Sequence, residues 1–351
     1  MHPRTTPDPA PPAPADPLRV VVLGAGGVGG YFGGLLARAG HHVTLLARGD
    51  HLAAIRAHGL ELRTPPDGEG PPGGPPRPPA HVRVSLGATD DAGALPPADL
   101  VVVAVKSYSL REVAPAAARL AAGGATVLPL LNGVDAADQL AEAGVPRAAL
   151  LGGATVISAA KVAPGVVERR SAVQRVVVGR FGAAAPAGPA TDGSGVPDSV
   201  GDPEVGRIVR AFRDAGVDAR ATAHIVVELW HKLAFLAPMA AACGLARADV
   251  GTVRAAPLGP LLVERAVAEV VAVARAHGVA VDPELAAQTV AAITALPGGM
   301  RPSLLLDLER GGPTEIDVLS GAVSRLGRDY GVPTPVHDTA VAALSTVRRG
   351  M

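Results

Sequence analysis

Short, unbroken apolar runs alternate with small-residue helical stretches from the start of the ordered-looking sequence to about residue 221. LRVVVLGAG (18–26), HHVTLLAR (41–48), ADLVVVAVK (98–106) and ATVLPLLNG (125–133) are continuous apolar segments of strand length. Runs of this kind belong to strands buried on both faces of a parallel sheet. A helix over 30–39, ended by Gly40, separates the first two. Val-rich segments at 150–158 and 173–179 are expected to extend the same sheet. From about 223 the apolar positions recur at i, i+3, i+4 spacing, which predicts helices over 224–243, 258–277, 283–295 and 313–330. The pattern gives an α/β fold class: a Rossmann-type parallel sheet domain followed by an all-helical C-terminal domain. The expected boundaries are a disordered Pro-rich tail at 1–17, a nucleotide-binding domain at 18–221 and a helical substrate and catalytic domain at 222–351. Two Pro/Gly tracts, 64–80 and 183–203, lack periodicity and read as surface loops or insertions.

Composition narrows the classes of partner. The 351 residues carry 32 basic and 32 acidic side chains, so the formal charge is zero. That balance argues against nucleic acid as the main partner, because phosphate-tracking domains are distinctly basic. No apolar run is expected to reach the roughly 18 residues of a membrane span, and there is no signal-peptide pattern. The expectation is a cytoplasmic protein with no membrane partner. A single Cys, Cys243, excludes an intrachain disulfide framework and a multi-cysteine zinc site, so no metal is expected. Among the basic residues only Lys106, Lys161 and Lys232 are lysines, and Asn132 is the one asparagine. In a chain this rich in Arg, a Lys marks a candidate position for a proton that must be given up.

Gly24-Ala25-Gly26-Gly27-Val28-Gly29 is a G-x-G-x-x-G directly after a strand and before a helix. The first glycine permits the tight turn, the second a close approach to a pyrophosphate, and the third close helix packing, with the helix N-terminus facing the anion. At the end of the second strand, where an NAD site usually has an acid, stands Arg48. A guanidinium suits a 2′-phosphate and favours NADP(H), while Asp50 keeps NAD open. Lys106, at the same sheet edge, is a second candidate for that phosphate. Asn132, after the next strand, lies where a nicotinamide ring is expected, although Asn-Gly is also an ordinary turn.

These residues resemble the ketopantoate reductase (2-dehydropantoate 2-reductase) family. GAGGVGG at 24–30, VAVKSY at 103–108, LNG at 131–133, ELWHKLA at 228–234 and TEID at 314–317 follow one another as they do there. The resemblance implies NADPH and a small-molecule 2-oxo acid in a cleft between the domains, and reduction of 2-dehydropantoate to pantoate in pantothenate biosynthesis. It implies Lys232 as proton donor, Asn132, Ser303 and Glu315 as cofactor or substrate contacts, and Arg48 and Lys106 as holders of the 2′-phosphate. The residues themselves agree for Lys232, since Leu229, Leu233, Phe235 and Leu236 would desolvate its ammonium and lower its pKa. The alternative is a surface lysine paired with Glu228 one turn earlier. Ser303 and Glu315, read alone, are a helix N-cap and a first-turn carboxylate; Asp307 is a minor further candidate.

One departure bears on the substrate. Where the family usually has Asn four and eight residues after the catalytic lysine, this chain has Leu236 and Ala240. Both are substrate-facing candidates, and hydrocarbon there disfavours a polyhydroxy acid. A reductase of a different, less polar 2-oxo acid or ketone is therefore an alternative, as is a non-catalytic NADP(H) sensor. His224 and His231 read as surface or hinge residues, Cys243 as a small buried hydrophobe, and 258–274 as a candidate homodimer contact.

Overall fold

Ten strands and five helices make up the first part of the chain, in a computed structural model that describes residues 14, 16–64, 80–182 and 201–345. The strands are β1 (Arg19–Leu23), β2 (His42–Leu46), β3 (Leu60–Thr64), β4 (Ala80–Val84), β5 (Gly87–Thr89), β6 (Leu100–Val103), β7 (Thr126–Pro129), β8 (Leu151–Ala163), β9 (Val166–Arg180) and β10 (Asp218–Ala221). The helices between them are α1 (Gly27–Arg38), α2 (Gly49–His58), α3 (Leu110–Ala122), α4 (Ala136–Glu142) and α5 (Pro203–Asp214). The described chain divides into two compact units, one of 16–64, 80–131, 137–182 and 201–225, the other of 132–136 and 226–345.

The first unit holds the parallel sheet that the apolar runs predict, in the order β5-β2-β1-β6-β7. Leu23 pairs with both Leu46 and Val103, and Val103 pairs with Pro129, so four strands end level with one another. The segments that follow them, from Gly24, Ala47, Ala104 and Leu130, therefore leave one edge of the sheet, where open parallel sheets bind ligands.

Of the two segments expected to extend this sheet, 150–158 touches it only through a parallel bridge from Leu150 to Val127 of β7, and 173–179 does not join it. Residues 151–158 and 173–179 lie in β8 and β9, which pair antiparallel to each other in a second, mixed sheet of order β10-β9-β3-β4. Helix α1 lies against both. A Cβ on Gly29 or Gly33 would meet Val22 and, for Gly33, Leu45 of the first sheet; one on Gly27, Gly30 or Gly34 would meet Ala159, Val167 and Leu62 of the second. A glycine in a helix interior costs about 1 kcal/mol relative to Ala. Here the glycines let a backbone lie where side chains would not fit.

The pairing Thr64↔Ala80 places the first Pro/Gly tract between the arms of the β3–β4 hairpin. Residues 65–79 and 183–200 of the two tracts, and residues 1–13 and 15 of the tail, lie outside the described residues. The tail's last residues are engaged: Asp16 accepts from Arg207 Nε and Nη2 at 2.6 and 3.0 Å.

The second unit is helical among its described residues: α6 (Ile225–Ala246, all but its first residue), α7 (Val250–Ala255), α8 (Gly259–Ala276), α9 (Leu285–Thr294), α10 (Ser303–Glu309), α11 (Ser320–Tyr330) and α12 (Pro335–Leu344). The helix expected over 313–330 is split, with a single 3₁₀ turn at Ile316–Val318 before α11. The expectation that no apolar run reaches membrane-span length fails at α6. Its 22 residues include a window of mean hydropathy 1.4, yet 61% of that window is buried in the protein. Trp230, Leu233, Ala237 and Ala241 of α6 belong to the unit's core.

A buried polar node joins three of these helices. His337 of α12, fully buried, contacts Ser320 Oγ through Nδ1 and the Ala266 carbonyl through Nε2, both at 3.0 Å. A carbonyl only accepts, so the ring donates from Nε2 and accepts at Nδ1. Glu269 of α8 accepts from the Val336 and His337 N–H groups, capping α12. Burial pushes the His337 pKa down to about 4 and raises that of the Glu269 carboxyl. A histidine whose folded pKa is depressed supplies stability that is complete above its unfolded value near 6.5 and is lost as pH falls toward 4. The loss is about 3 kcal/mol at its limit. Glu269 acts in the opposite sense, so the contribution of His337 is the difference between the wild type and His337→Gln. Urea unfolding followed by Trp230 fluorescence at pH 7 and pH 4.5 is expected to show a smaller acid loss in the variant. An equal loss in both would remove His337 as its source.

Candidate active site

The glycine turn is built by the end of β1 and the start of α1. Gly24 has φ +106°, a conformation that favours glycine, and a Cβ there would also strike Val105 at 2.7 Å. Gly26 is the N-cap of α1, and no side chain among the described residues caps the helix. The N–H groups of the first turn thus have no intrahelical partner and face outward with the positive end of the dipole. Space separates the glycines into two kinds. A Cβ on Gly27 or Gly29 would lie 2.1 Å from a backbone oxygen, whereas one on Gly26 would touch nothing within 4 Å. Open space beside the second glycine is what a diphosphate requires, so these residues fit a dinucleotide. Ala25 is buried and Val28 half-buried.

Arg48 is the N-cap of α2, exposed, with Nη1 2.8 Å from Glu112 Oε1 of α3. An exposed ion pair of this kind is worth about 1 kcal/mol or less, so the guanidinium is available to a better anion. Lys106 is half-buried and precedes the 3₁₀ turn Ser107–Ser109 that leads into α3. Arg48 and Lys106 both follow strands of the level edge.

In the helical unit the structure brings Lys232, Glu315 and Asn132 together. Glu315 is 6% exposed, and its Oε2 accepts from Asn132 Nδ2 at 3.2 Å. Lys232 is half-buried in α6. Desolvation pulls its pKa down to about 8, partly opposed by the attraction of the Glu315 carboxylate. Its electrostatic partner is thus Glu315, on a distant segment, and the surface pairing with Glu228 is not what sets its charge. A lysine near 8 can hold and release a proton close to neutrality.

Two further contacts fix the Asn132 segment, and no sequence signal marks them. Gly133, at φ +92°, has Val318 O 2.9 Å from where its Cβ would be, and Asp135 Oδ2 accepts from Arg325 Nη2 at 2.8 Å. The loop carrying the amide is therefore pressed against the turn that follows Glu315. Ser303 is exposed and is the first residue of α10, while Pro302 holds the N-cap position assigned to Ser303 by sequence. No hydrogen bond among the described residues ties Ser303 to the lysine group. Asp307, in the same helix, is half-buried and 3.9 Å from Arg310.

Leu236, one turn beyond Lys232, is half-buried, whereas Ala240 is 2% exposed within the core. Of the two hydrocarbon positions, Leu236 is the one with surface to offer a ligand. His231 is not a surface residue: its Nε2 is buried without a partner among the described residues, and burial lowers its pKa. Cys243 is fully buried and its thiol is pushed up to about 11. Among the described residues no group of three or more His, Cys, Asp or Glu is placed to hold a metal ion. His51, near the glycine turn, escaped the sequence reading altogether.

Comparison with known proteins agrees across both units. Residues 20–183 match the family described as ketopantoate reductase PanE/ApbA, and residues 224–348 match its C-terminal part. A 2-dehydropantoate 2-reductase of Halobacterium salinarum is 35% identical over 335 residues, covering 95% of this chain and 99% of that one. The uncharacterized oxidoreductase YkpB of Bacillus subtilis is 27% identical over 93% of this chain and 98% of its own length. Among solved structures, a PanE/ApbA family ketopantoate reductase from Ralstonia eutropha has a TM-score of 0.77 at 28% identity, covering 94% of this chain and 98% of that one. D-mandelate dehydrogenase, solved with NADH and anilino(oxo)acetate, shares the fold at a TM-score of 0.77 and 23% identity, over 94% and 98% of the two chains. With the glycine turn on a parallel sheet and the lysine on a helical unit, these matches establish that the chain belongs to the ketopantoate reductase PanE/ApbA family, NAD(P)-dependent oxidoreductases acting on CH–OH groups.

Proposed function

We propose that the protein reduces 2-dehydropantoate to pantoate with NADPH, and that Lys232 is the general acid. The observation that carries this reading is the Lys232 ammonium, with its pKa lowered to about 8 and Glu315 as its charge partner. When bound, the dinucleotide supplies a hydride to the carbonyl carbon. Negative charge then grows on the carbonyl oxygen, and Lys232 stabilises it as a cation and delivers the proton. Glu315 keeps the ammonium charged at neutral pH and, through its bond to Asn132 Nδ2, orients the amide. That leaves Asn132 Oδ1 to accept a hydrogen bond, which suits it to a nicotinamide carboxamide or a substrate hydroxyl. Ser303, exposed at its helix start, is suited to donate to the substrate carboxylate. The turn from Gly24 to Gly29 would hold the diphosphate, and Arg48 and Lys106 the 2′-phosphate.

Leu236 favours a second reading, a less polar 2-oxo acid at the same site. Hydrocarbon one turn from the acid rewards an apolar substituent and leaves a buried hydroxyl without a partner. A panel of 2-oxo acids assayed by loss of NADPH absorbance decides between them. Ketopantoate is expected to give the highest kcat/KM; a clear preference for an apolar oxo acid would replace it with the second reading.

Lys232→Ala is expected to lower kcat by about 10²-fold or more, the usual worth of general acid catalysis. In the wild type, kcat/KM for reduction should be flat below pH 8 and fall above it, as the ammonium is lost. Because Glu315 raises the lysine pKa, Glu315→Gln should move that limb to lower pH. A limb unmoved by Glu315→Gln and an active Lys232→Ala would reject the assignment.

For the cofactor, Arg48→Ala should raise the Kd of NADPH about tenfold and leave NADH almost unchanged, as expected for loss of one charged phosphate contact. Gly26→Ala should weaken both dinucleotides without lowering the melting temperature, because its Cβ meets no atom of the described residues within 4 Å. Equal losses of the two cofactors in Arg48→Ala would remove the 2′-phosphate argument.

A further inference from the structure

Ala25 lies between the first and second glycines of the turn, and both of its backbone polar groups are held. Its N–H donates to the Leu46 carbonyl at the end of β2, at 3.2 Å. Its carbonyl is 2.8 Å from Nε2 of His51, a buried residue in the first turn of α2. The other ring nitrogen, Nδ1, is 2.9 Å from the N–H of Gly165, at the tip of the β8–β9 hairpin. An amide N–H can only donate, so Nδ1 carries a lone pair and the ring is neutral, with its proton on Nε2. Burial lowers the pKa of the ring, and the Lys161 charge acts in the same direction. Gly165 is itself fixed, since its carbonyl accepts from Glu61 N–H at 2.8 Å and Ala54 Cβ closes the space beside its Cα.

We propose that His51 is a positioning residue for the dinucleotide: it holds the Ala25 carbonyl turned away from the diphosphate, so that the turn presents N–H groups to the anion and no oxygen. The inference rests on the glycine turn being the dinucleotide site. A backbone carbonyl in that turn is a negative dipole end, and if released it can rotate toward the space beside Gly26 that an anion would fill. The imidazole reaches both partners, donating to Ala25 and accepting from Gly165. It ties the turn to α2, the helix that follows Arg48, and to the second sheet. The effect concerns the diphosphate, which NADPH and NADH share, so His51 should act on both alike, unlike Arg48.

Two substitutions separate the ring's two bonds. His51→Gln places an amide donor at the reach of Nε2, and His51→Asn places an acceptor only at the reach of Nδ1. NADPH and NADH are titrated by nicotinamide fluorescence on the wild type, the Gln and Asn variants and His51→Ala, with melting temperature and kcat measured on each. The Asn and Ala variants should raise the Kd of both cofactors by roughly tenfold, about the net effect of one hydrogen bond. The kcat at saturating cofactor should stay near that of the wild type, and the Gln variant should keep most of the affinity. Gln and Asn variants that bind equally well, or an affinity loss that follows the melting temperature alone, would overturn the role of His51. Unchanged affinity in all three variants beside a wild type that binds would overturn it as well, and leave the site reading standing. A wild type that bound neither dinucleotide would instead overturn the site reading, and this inference with it.

Discussion

The first unit depends on how closely the backbone of α1 can approach its neighbours on both sides. Two sheets press on one helix, and five of the helix's first eight residues are glycine. A single methyl group at Gly27 would meet the Ala159 carbonyl at 2.1 Å. This constraint explains why the motif continues past the third glycine of the dinucleotide fingerprint: Gly30 and Gly34 serve the second sheet, not the ligand. The intrinsic helix weakness of such a sequence is offset by burial on two faces, so α1 owes its helical state to packing.

The parallel sheet was legible because strands buried on both faces become continuous apolar runs, and β1, β2, β6 and β7 all read that way. The second sheet was not, for a physical reason. Its strands β8 and β9 mix buried positions such as Leu151 and Val176 with exposed ones such as Val156 and Arg175. Such a pattern carries no information about which sheet a strand joins. β3 and β4 were hidden because the tract between them dominated the local composition. Helix α3 buries Leu110, Val113, Ala117 and Leu120 at helical spacing, but Pro115 in its interior reads as a helix breaker, and α2 offers few apolar side chains. The span-length apolar helix α6 was overlooked because Glu228, His231 and Lys232 interrupt its first half.

At the site, what could be read were two rare residue types and one motif in its context. Lys232 and Asn132 stood out from a background of Ala, Gly, Pro and Arg, and the glycine turn stood out by its place between a strand and a helix. What could not be read were partners brought in from far along the chain. Lys232 precedes its charge partner Glu315 by more than eighty residues, and sequence spacing offered the nearer Glu228 instead. The same holds for Asp135 with Arg325, and for His51, whose two hydrogen bonds reach back to Ala25 and forward to Gly165. Local rules find a chemical group, and tertiary structure decides what that group is poised to do.

The β3–β4 hairpin has a consequence for how this chain can vary. Five consecutive pairs, from Leu60↔Val84 to Thr64↔Ala80, hold its arms in register. With the arms locked, the cost of joining their ends grows only with the logarithm of the linker's length. Evolution can thus lengthen, shorten or rewrite that connection without touching the fold, and a protein engineer can graft an epitope or a fluorophore there.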